Sequence, residues 1–579
     1  MKKNLVLLIT LFISYQISAQ EKSPYDYIKV WNFLKFYHPD LASGKIDADS
    51  LFLENINQSQ YLDINESIEL LTKNLKNQFT TKSEPNEETD VLRINQDFSW
   101  YRENPEIKRK YRKLLNKIYS HRFTGKHYYD VSQTVYEYII PHEKPYDFGV
   151  ETQIPLAYRL LTMAKMIGTI DYLYPYKYLM PENANDELKK LIQQSITCES
   201  RKEFETILAK TAALFEDTHA FGFYKELHYQ KEIYHKNYYA PFDYHVFEDH
   251  ILVTNLITPD VCKEAGIAVG DRIMSINDIS VKDMIREKST LLSTSNKNKL
   301  LYYLSDYINN LIWTDDLQTK SLQIQKYPDR NEKTIKLALI DPTNKEQALQ
   351  INEYYQQKLN NKAARKLEHD DIAYFRTDQT FSLIDDVDDD QIDATLNKIF
   401  EEAASKKAIV FDMRAYPDWG GFAFNYVYNY FSPKENWFGK YYRQNLNNIG
   451  TYAYVYKSAT IEYFPDIPNK TTHNYNGKVF IIVDPATQSM SEWNTMNFQH
   501  VFPQAITIGE QTAGADGDMK YLTLPGGYSF GFTANAVFYP DNTLTQKVGV
   551  KIDEIIHYTD TDILNQKDIP FEIILKAIE

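Results

Sequence analysis

Apolar residues recur at three- and four-residue spacing through the first third of the chain. Ile28, Trp31, Phe33, Leu34 and Tyr37 form one such series, and His38-Pro39 ends it. The same period predicts helices near 61–79, 107–120, 154–170, 186–196 and 201–215, with 83–88 and 96–106 as exposed connections. From about Tyr238 to Leu339 the pattern changes to short strands, at 244–247, 251–253, 321–325 and 333–338, around a Gly270-Asp271 turn. Residues 291–311, rich in leucine and tyrosine, predict a helix. The polar stretch 344–365 marks the passage to a last domain. There the apolar runs 372–375, 408–411 and 479–483 read as strands, and 394–404 and 422–431 as helices. The unbroken β-branched run 479–483 is the mark of a strand buried on both faces. The fold class is α/β in an α+β multidomain arrangement. It divides into a helical region over 21–235, a small β module over 236–345 and an α/β domain over 346–579.

Bulk properties narrow the function. A chain of 579 residues suggests roughly three or four domains of about 150 residues each. A hydrophobic content of 43% with 25% charged residues supports a sizeable core. The net charge of −15 argues against a nucleic-acid partner, because nothing would neutralise phosphates. Cys198 and Cys262 make no disulfide framework and are expected to be unpaired and buried. No cysteine–histidine spacing fits zinc. At the N-terminus Met-Lys-Lys precedes an apolar run too short to span a bilayer, and Ile17-Ser18-Ala19-Gln20 reads as a signal-peptidase site. Residues 1–20 are therefore read as a removed signal peptide. The mature chain, with no membrane span, is expected to be periplasmic or secreted.

The candidate chemistry centres on residues 478–517. The run 479–483 leads through a short turn to Ser489-Met490-Ser491-Glu492 and a helical pattern of Met490, Trp493 and Met496. A serine at the tip of such a strand–turn–helix unit has free backbone N–H groups beside it, which suits an acyl-transfer nucleophile and its oxyanion site. Ser-x-x-Glu is also a helix capping box, and this plain reading stands beside the first. Gly420-Gly421 after the strand at 408–411 either aims N–H groups at an anion or makes a tight turn. His219, after Asp217-Thr218, is a turn residue or a base. His38 and His142 read as structural. The acidic run 385–390 reads as solvated surface.

The segment AGI…GDRIMSIN, residues 265–277, resembles PDZ-type peptide-binding modules, which add an extended peptide to an open sheet edge. VFDMR…GG, VDPATQSMSE, IGEQTAGADG, LPGGYSFGFT and VGVKIDE follow in order. Together they resemble the tail-specific, C-terminal processing and tricorn-core family of serine peptidases. The resemblance implies a catalytic domain of the crotonase-like or ClpP-like type, no cofactor, and peptides or unfolded proteins as substrates. It puts the nucleophile on Ser489, with Ser491 as the alternative. The oxyanion donors fall on the N–H of Met490 and on Gly420 or Gly421. The lysine of the processing branch falls on Ala515, with Lys520 five residues beyond. The histidine of the tricorn-like branch falls on His219, preceded by the hydroxyl of Thr218. The glutamate that orients it through that hydroxyl falls on Gln546, with Glu510 as another acid. Gln546 favours a rival reading, a weak or inactive peptide-binding homologue. A glycan or ester hydrolase ranks last, because no carboxylate pair has suitable spacing.

Overall fold

The computed structural model describes residues 24–59, 62–76, 90–130, 138–431, 438–455 and 473–579. The signal segment 1–20 and the connection 83–88 lie outside them. Helix Pro24–Tyr37 is buried on nearly every side, because Ala48–Ser59, Ile64–Thr72 and Leu156–Gly168 pack around it. It stops where His38 must stay extended before Pro39. The His38 ring accepts from the Asp40 N–H at 3.2 Å and caps the next turn, Pro39–Ala42. The helices Arg109–Ser120, Ala184–Thr197 and Arg201–Ala213 also form. The stretch 96–106 is not an exposed connection. It holds the short helix Ser99–Arg102, and Phe98 and Tyr101 insert edge-on against Phe33.

The middle sheet is antiparallel in sequential order: Phe242–Val246, Ile251–Leu256, Arg272–Ile276, Thr319–Gln325, Glu332–Ala338. Gly270 has φ +91, which its turn requires. Asp271 is fully buried and ties that turn to the end of the neighbouring strand Thr319–Gln325, accepting from the Ala268 N–H, the Tyr327 N–H and Lys326. Only Lys297–Leu304 of the stretch 291–311 is helical. The polar passage holds a helix, Lys345–Ala364. Only Ile351 is buried along it, so no apolar stripe marks it, and Asn344 caps its start.

The last third is built on a parallel sheet in the order Glu554–Ile555, Ile506–Gly509, Lys478–Val483, Ala408–Asp412, Ile372–Arg376. Alternate residues of the central strands feed two cores. Val479, Ile481 and Val483 face Met496 and Phe498 of helix Met490–Val501, while Phe480 and Ile482 face Ile574 and Ile578 of helix Ile569–Ile578. Residues 422–431 form a π-helical turn, Phe422–Val427, before Tyr428–Tyr430.

Packing runs across the three regions. Strand Val91–Leu92 from the helical front joins a sheet with Tyr452–Tyr454, Lys440–Gln444 and Ala536–Phe538. The hairpin Met519–Leu524/Tyr528–Thr533 puts Leu522, Leu524, Phe530 and Phe532 into the same core as the front helices and the middle sheet. This hairpin brings the N-terminal third to the serine turn.

Candidate active site

Ser489 stands where the strand Lys478–Val483 turns into the helix Met490–Val501. Its backbone is at φ 55, ψ −121, a conformation costly for any residue with a Cβ. Such strain at a strand-to-helix turn lifts a serine hydroxyl clear of the sheet. Ser489 is half-buried, whereas Ser491 is fully buried and donates to the Met413 carbonyl at 3.0 Å. The alternative serine is thus a packing residue.

The turn is held from below by Glu492. Its carboxylate accepts from the Ser489 N–H at 3.3 Å, which is the capping box, and also from Thr512 Oγ1 at 2.5 Å, the Gly514 N–H at 2.8 Å and the Ala515 N–H at 3.0 Å. The Ser489 N–H also donates to the Ala515 carbonyl at 3.0 Å. Burial pushes the Glu492 carboxyl up, and these donors pull it back. Glu492→Ala would leave the Thr512, Gly514 and Ala515 donors unpaired in the interior. At about 1–3 kcal/mol for each, a loss of more than about 3 kcal/mol is expected in urea unfolding. A change below about 1 kcal/mol would show that the loop is held by other means.

The histidine arrives from the front of the molecule on the same loop. Thr218 Oγ1 approaches the Ala513 carbonyl at 3.4 Å, and Asn296 Nδ2 donates to the carbonyls of Thr512 and Ala513 at 2.9 and 3.2 Å. His219 is 5% exposed. Its Nδ1 lies 2.7 Å from Thr533 Oγ1, at the end of the hairpin. Thr533 Oγ1 donates to Asp217 Oδ1 at 2.7 Å, and the Thr533 N–H to Asp217 Oδ2 at 2.6 Å. A hydroxyl has one proton to give, so the imidazole must supply the proton of its own bond to Thr533. That fixes the tautomer with Nδ1 protonated and leaves a lone pair on Nε2. Nε2 is buried and has no hydrogen-bond partner among the described residues, so His219 and Ser489 are not hydrogen-bonded to each other. Burial pushes the imidazole below its usual value, Asp217 and Asp518 oppose this, and Lys299 adds to it.

Several expected assignments fall elsewhere. Gln546 is hydrogen-bonded neither to the imidazole nor directly to Thr218 among the described residues. Its Nε2 reaches Ser295 Oγ at 3.5 Å, and Ser295 in turn pairs with Thr218 at 3.1 Å. The hydroxyl against the ring belongs to Thr533, not Thr218, because Thr218 is turned into the Ser295 pair. Lys520 lies on the hairpin and is held by Asp130, away from any base role. Ala515 is fully buried and offers only its backbone. Glu510 sits with Asp484 and Arg414, where burial raises its carboxyl to about 7. The Met413 carbonyl accepts from Thr487 at 2.8 Å as well as from Ser491, so the loop leading to Gly420-Gly421 starts against the serine turn. A Cβ at Gly420 would meet open space. The N–H of Met490 stands at the first position of its helix. Thr533 and the Asp217 carboxylate also stand beside the ring, and the sequence marks neither beyond Asp217 as a turn residue. The signal for both is position, since Thr533 ends LPGGYSFGFT and Asp217 lies two residues before His219.

Residues 371–556 match the sequence profile of peptidase family S41. The match covers about a third of the chain, and over it the protein is similar to that family. The matched region is of the serine-peptidase type. Among curated proteins none matches the chain. Among solved structures, mature CPAF aligns at 13% identity over 73% of this chain and 96% of its own, with a TM-score of 0.47. The photosystem II D1 C-terminal processing protease aligns at 12% over 71% and 98%, with a TM-score of 0.32. The tricorn protease aligns at 12% over 73% and 37%, with a TM-score of 0.30. At these scores the likenesses add nothing to the S41 match. No helix of the described residues is long and apolar enough to cross a membrane.

Proposed function

We propose that this chain is a peptidase of the S41 type and hydrolyses peptide bonds through an acyl-enzyme on Ser489, with His219 as general base. The observation that carries the reading is the meeting of two distant segments on the loop 512–515. One is the strained Ser489 turn and the other the buried turn that bears His219. The Ser489 hydroxyl oxygen attacks the scissile carbonyl carbon while His219 Nε2 takes its proton. The oxyanion is met by the N–H of Met490 and an amide of Gly420 or Gly421. Collapse expels the amine, which carries off the proton from Nε2. Water then attacks the ester by the same base, releasing the acid and restoring Ser489. The substrate is a peptide or unfolded protein. The leader at 1–20 supports export to the periplasm or beyond, and the sheet at 242–338 acts as a PDZ-like peptide-binding module.

Gln546 supports the rival reading of a peptide binder without turnover, since an amide replaces the expected glutamate. A fluorophosphonate probe separates the two. The mature protein is expected to gain one adduct, mapped to Ser489 by mass spectrometry and absent in His219→Ala. An unlabelled protein, or an adduct elsewhere, would remove this peptidase mechanism.

A further inference from the structure

We propose that Asp217, acting through the hydroxyl of Thr533, is the carboxylate that positions His219, in the role the resemblance gives to residue 546. The inference rests on the reading of Ser489 and His219 as nucleophile and base. It starts from a gap in that reading, because a serine–histidine pair without an acid loses both the tautomer lock and the charge that steadies an imidazolium. Residue 546 cannot fill the gap. It is an amide, it reaches Ser295 and not the ring, and its Oε1 is buried with no hydrogen-bond partner among the described residues.

Asp217 fills it by geometry. It is fully buried, and its two oxygens accept from three donors: Thr533 Oγ1, the Thr533 N–H and the His219 N–H at 3.1 Å. With both backbone donors fixed, the carboxylate has one hydroxyl left to orient, and it points that oxygen's lone pair at Nδ1. The carboxylate itself lies 3.8 Å from Nδ1, too far for a direct bond but close enough for its charge to act. Thr533 therefore transmits direction and Asp217 supplies charge. Ser293 fixes the turn from the other side, with the Asp217 N–H donating to its Oγ at 3.0 Å and that hydroxyl donating to the Asp217 carbonyl at 2.9 Å. The other charged groups that act on the ring are Asp518 at the foot of the hairpin and Lys299 from helix Lys297–Leu304. The plainer view, that Asp217 only caps the turn Thr218–Lys225, accounts for its bond to the His219 N–H. It does not account for a threonine hydroxyl interposed between carboxylate and ring.

The test is the pH dependence of fluorophosphonate labelling in the full mature chain. Asp217→Asn and Thr533→Val are each expected to slow labelling by about 10²–10⁴-fold. In Asp217→Asn the acid inflection should also move to lower pH, because an anion that favours the protonated ring is gone. Thr533→Ser keeps the hydroxyl and should return to within about tenfold of the parent rate. Thr533→Val keeps the backbone donor to Asp217, so it serves if Asp217→Asn fails to fold. An unchanged inflection in Asp217→Asn with normal rates in Thr533→Val would overturn the proposal, as would a matching shift produced by Gln546→Ala alone. If the parent labels at Ser489 and His219→Ala does not, such a result sinks only the relay. If the parent does not label, the nucleophile and base reading falls with it.

Discussion

Ser489→Ala is expected to lower hydrolysis of unfolded casein by on the order of 10⁶-fold, and His219→Ala by a similar factor. The two should not add, because a hydroxyl without its base and a base without its hydroxyl are equally idle. The double variant should therefore retain about the same residual rate as either single one. KM should move little, since neither side chain is needed to hold an extended peptide in the ground state. The pH profile gives a second handle. Catalysis needs the neutral ring, and burial lowers the pKa of His219. The base form is then retained below the ordinary histidine value of about 6.5. Hydrolysis should stay flat as pH falls through that value and decline only beyond it. An inflection at or above about 6.5 would mean that the ring does not sit in a desolvated place. Additive losses in the double variant would mean that the two groups do not act as a unit.

What the sequence made legible follows from how the signals are encoded. The strand Lys478–Val483 is buried on both faces, so it had to be apolar throughout, and it was found within a residue. The serine turn was visible because it follows that strand directly. Glu492 was read only as the partner in a capping box. The box exists, but three further donors on the same carboxylate come from a loop twenty or more positions on. Thr533 stands 314 positions from His219, and a threonine at the end of a strand carries no mark of what it faces. The helix Lys345–Ala364 stayed hidden for the opposite reason. It buries almost nothing, so its sequence had no apolar stripe to show and only its asparagine cap marked it. Gln546 was placed by counting along a motif, and a count along the chain carries no information about Ser295, the residue its amide reaches.

Glu143→Ala is expected to destabilise the protein by about 3–5 kcal/mol, the range for breaking a buried ion pair from one side. Its carboxylate lies 2.5 Å from Lys35 Nζ and 2.6 Å from Lys165 Nζ, and none of the three side chains is more than 2% exposed. Burial pushes the Glu143 carboxyl up, but Lys165 and Lys35 overcome it and hold it below the usual range. Without it, Lys165 keeps Asp49 at 2.8 Å. Among the described residues Lys35 then keeps the faces of Tyr129, Trp31 and Phe36, at 4.4, 5.1 and 5.6 Å. A desolvated cation over an aromatic ring gains about 2 kcal/mol or more, against several kcal/mol for the charge left unpaired. Lys35→Met together with Glu143→Met should recover much of the loss, because the pair is then replaced and not orphaned. The damage should reach the active site. Just beyond Glu143, the Pro145 carbonyl accepts the Gly526 N–H at 2.7 Å, and just before it the Ile140 N–H donates to the Tyr521 carbonyl at 2.9 Å. Those contacts brace the hairpin whose far end holds Thr533 against His219. Glu143→Ala should accordingly lose labelling at Ser489 at urea concentrations where the parent keeps it. A urea midpoint within about 1 kcal/mol of the parent would show that water reaches the cluster and that its charges are not confined.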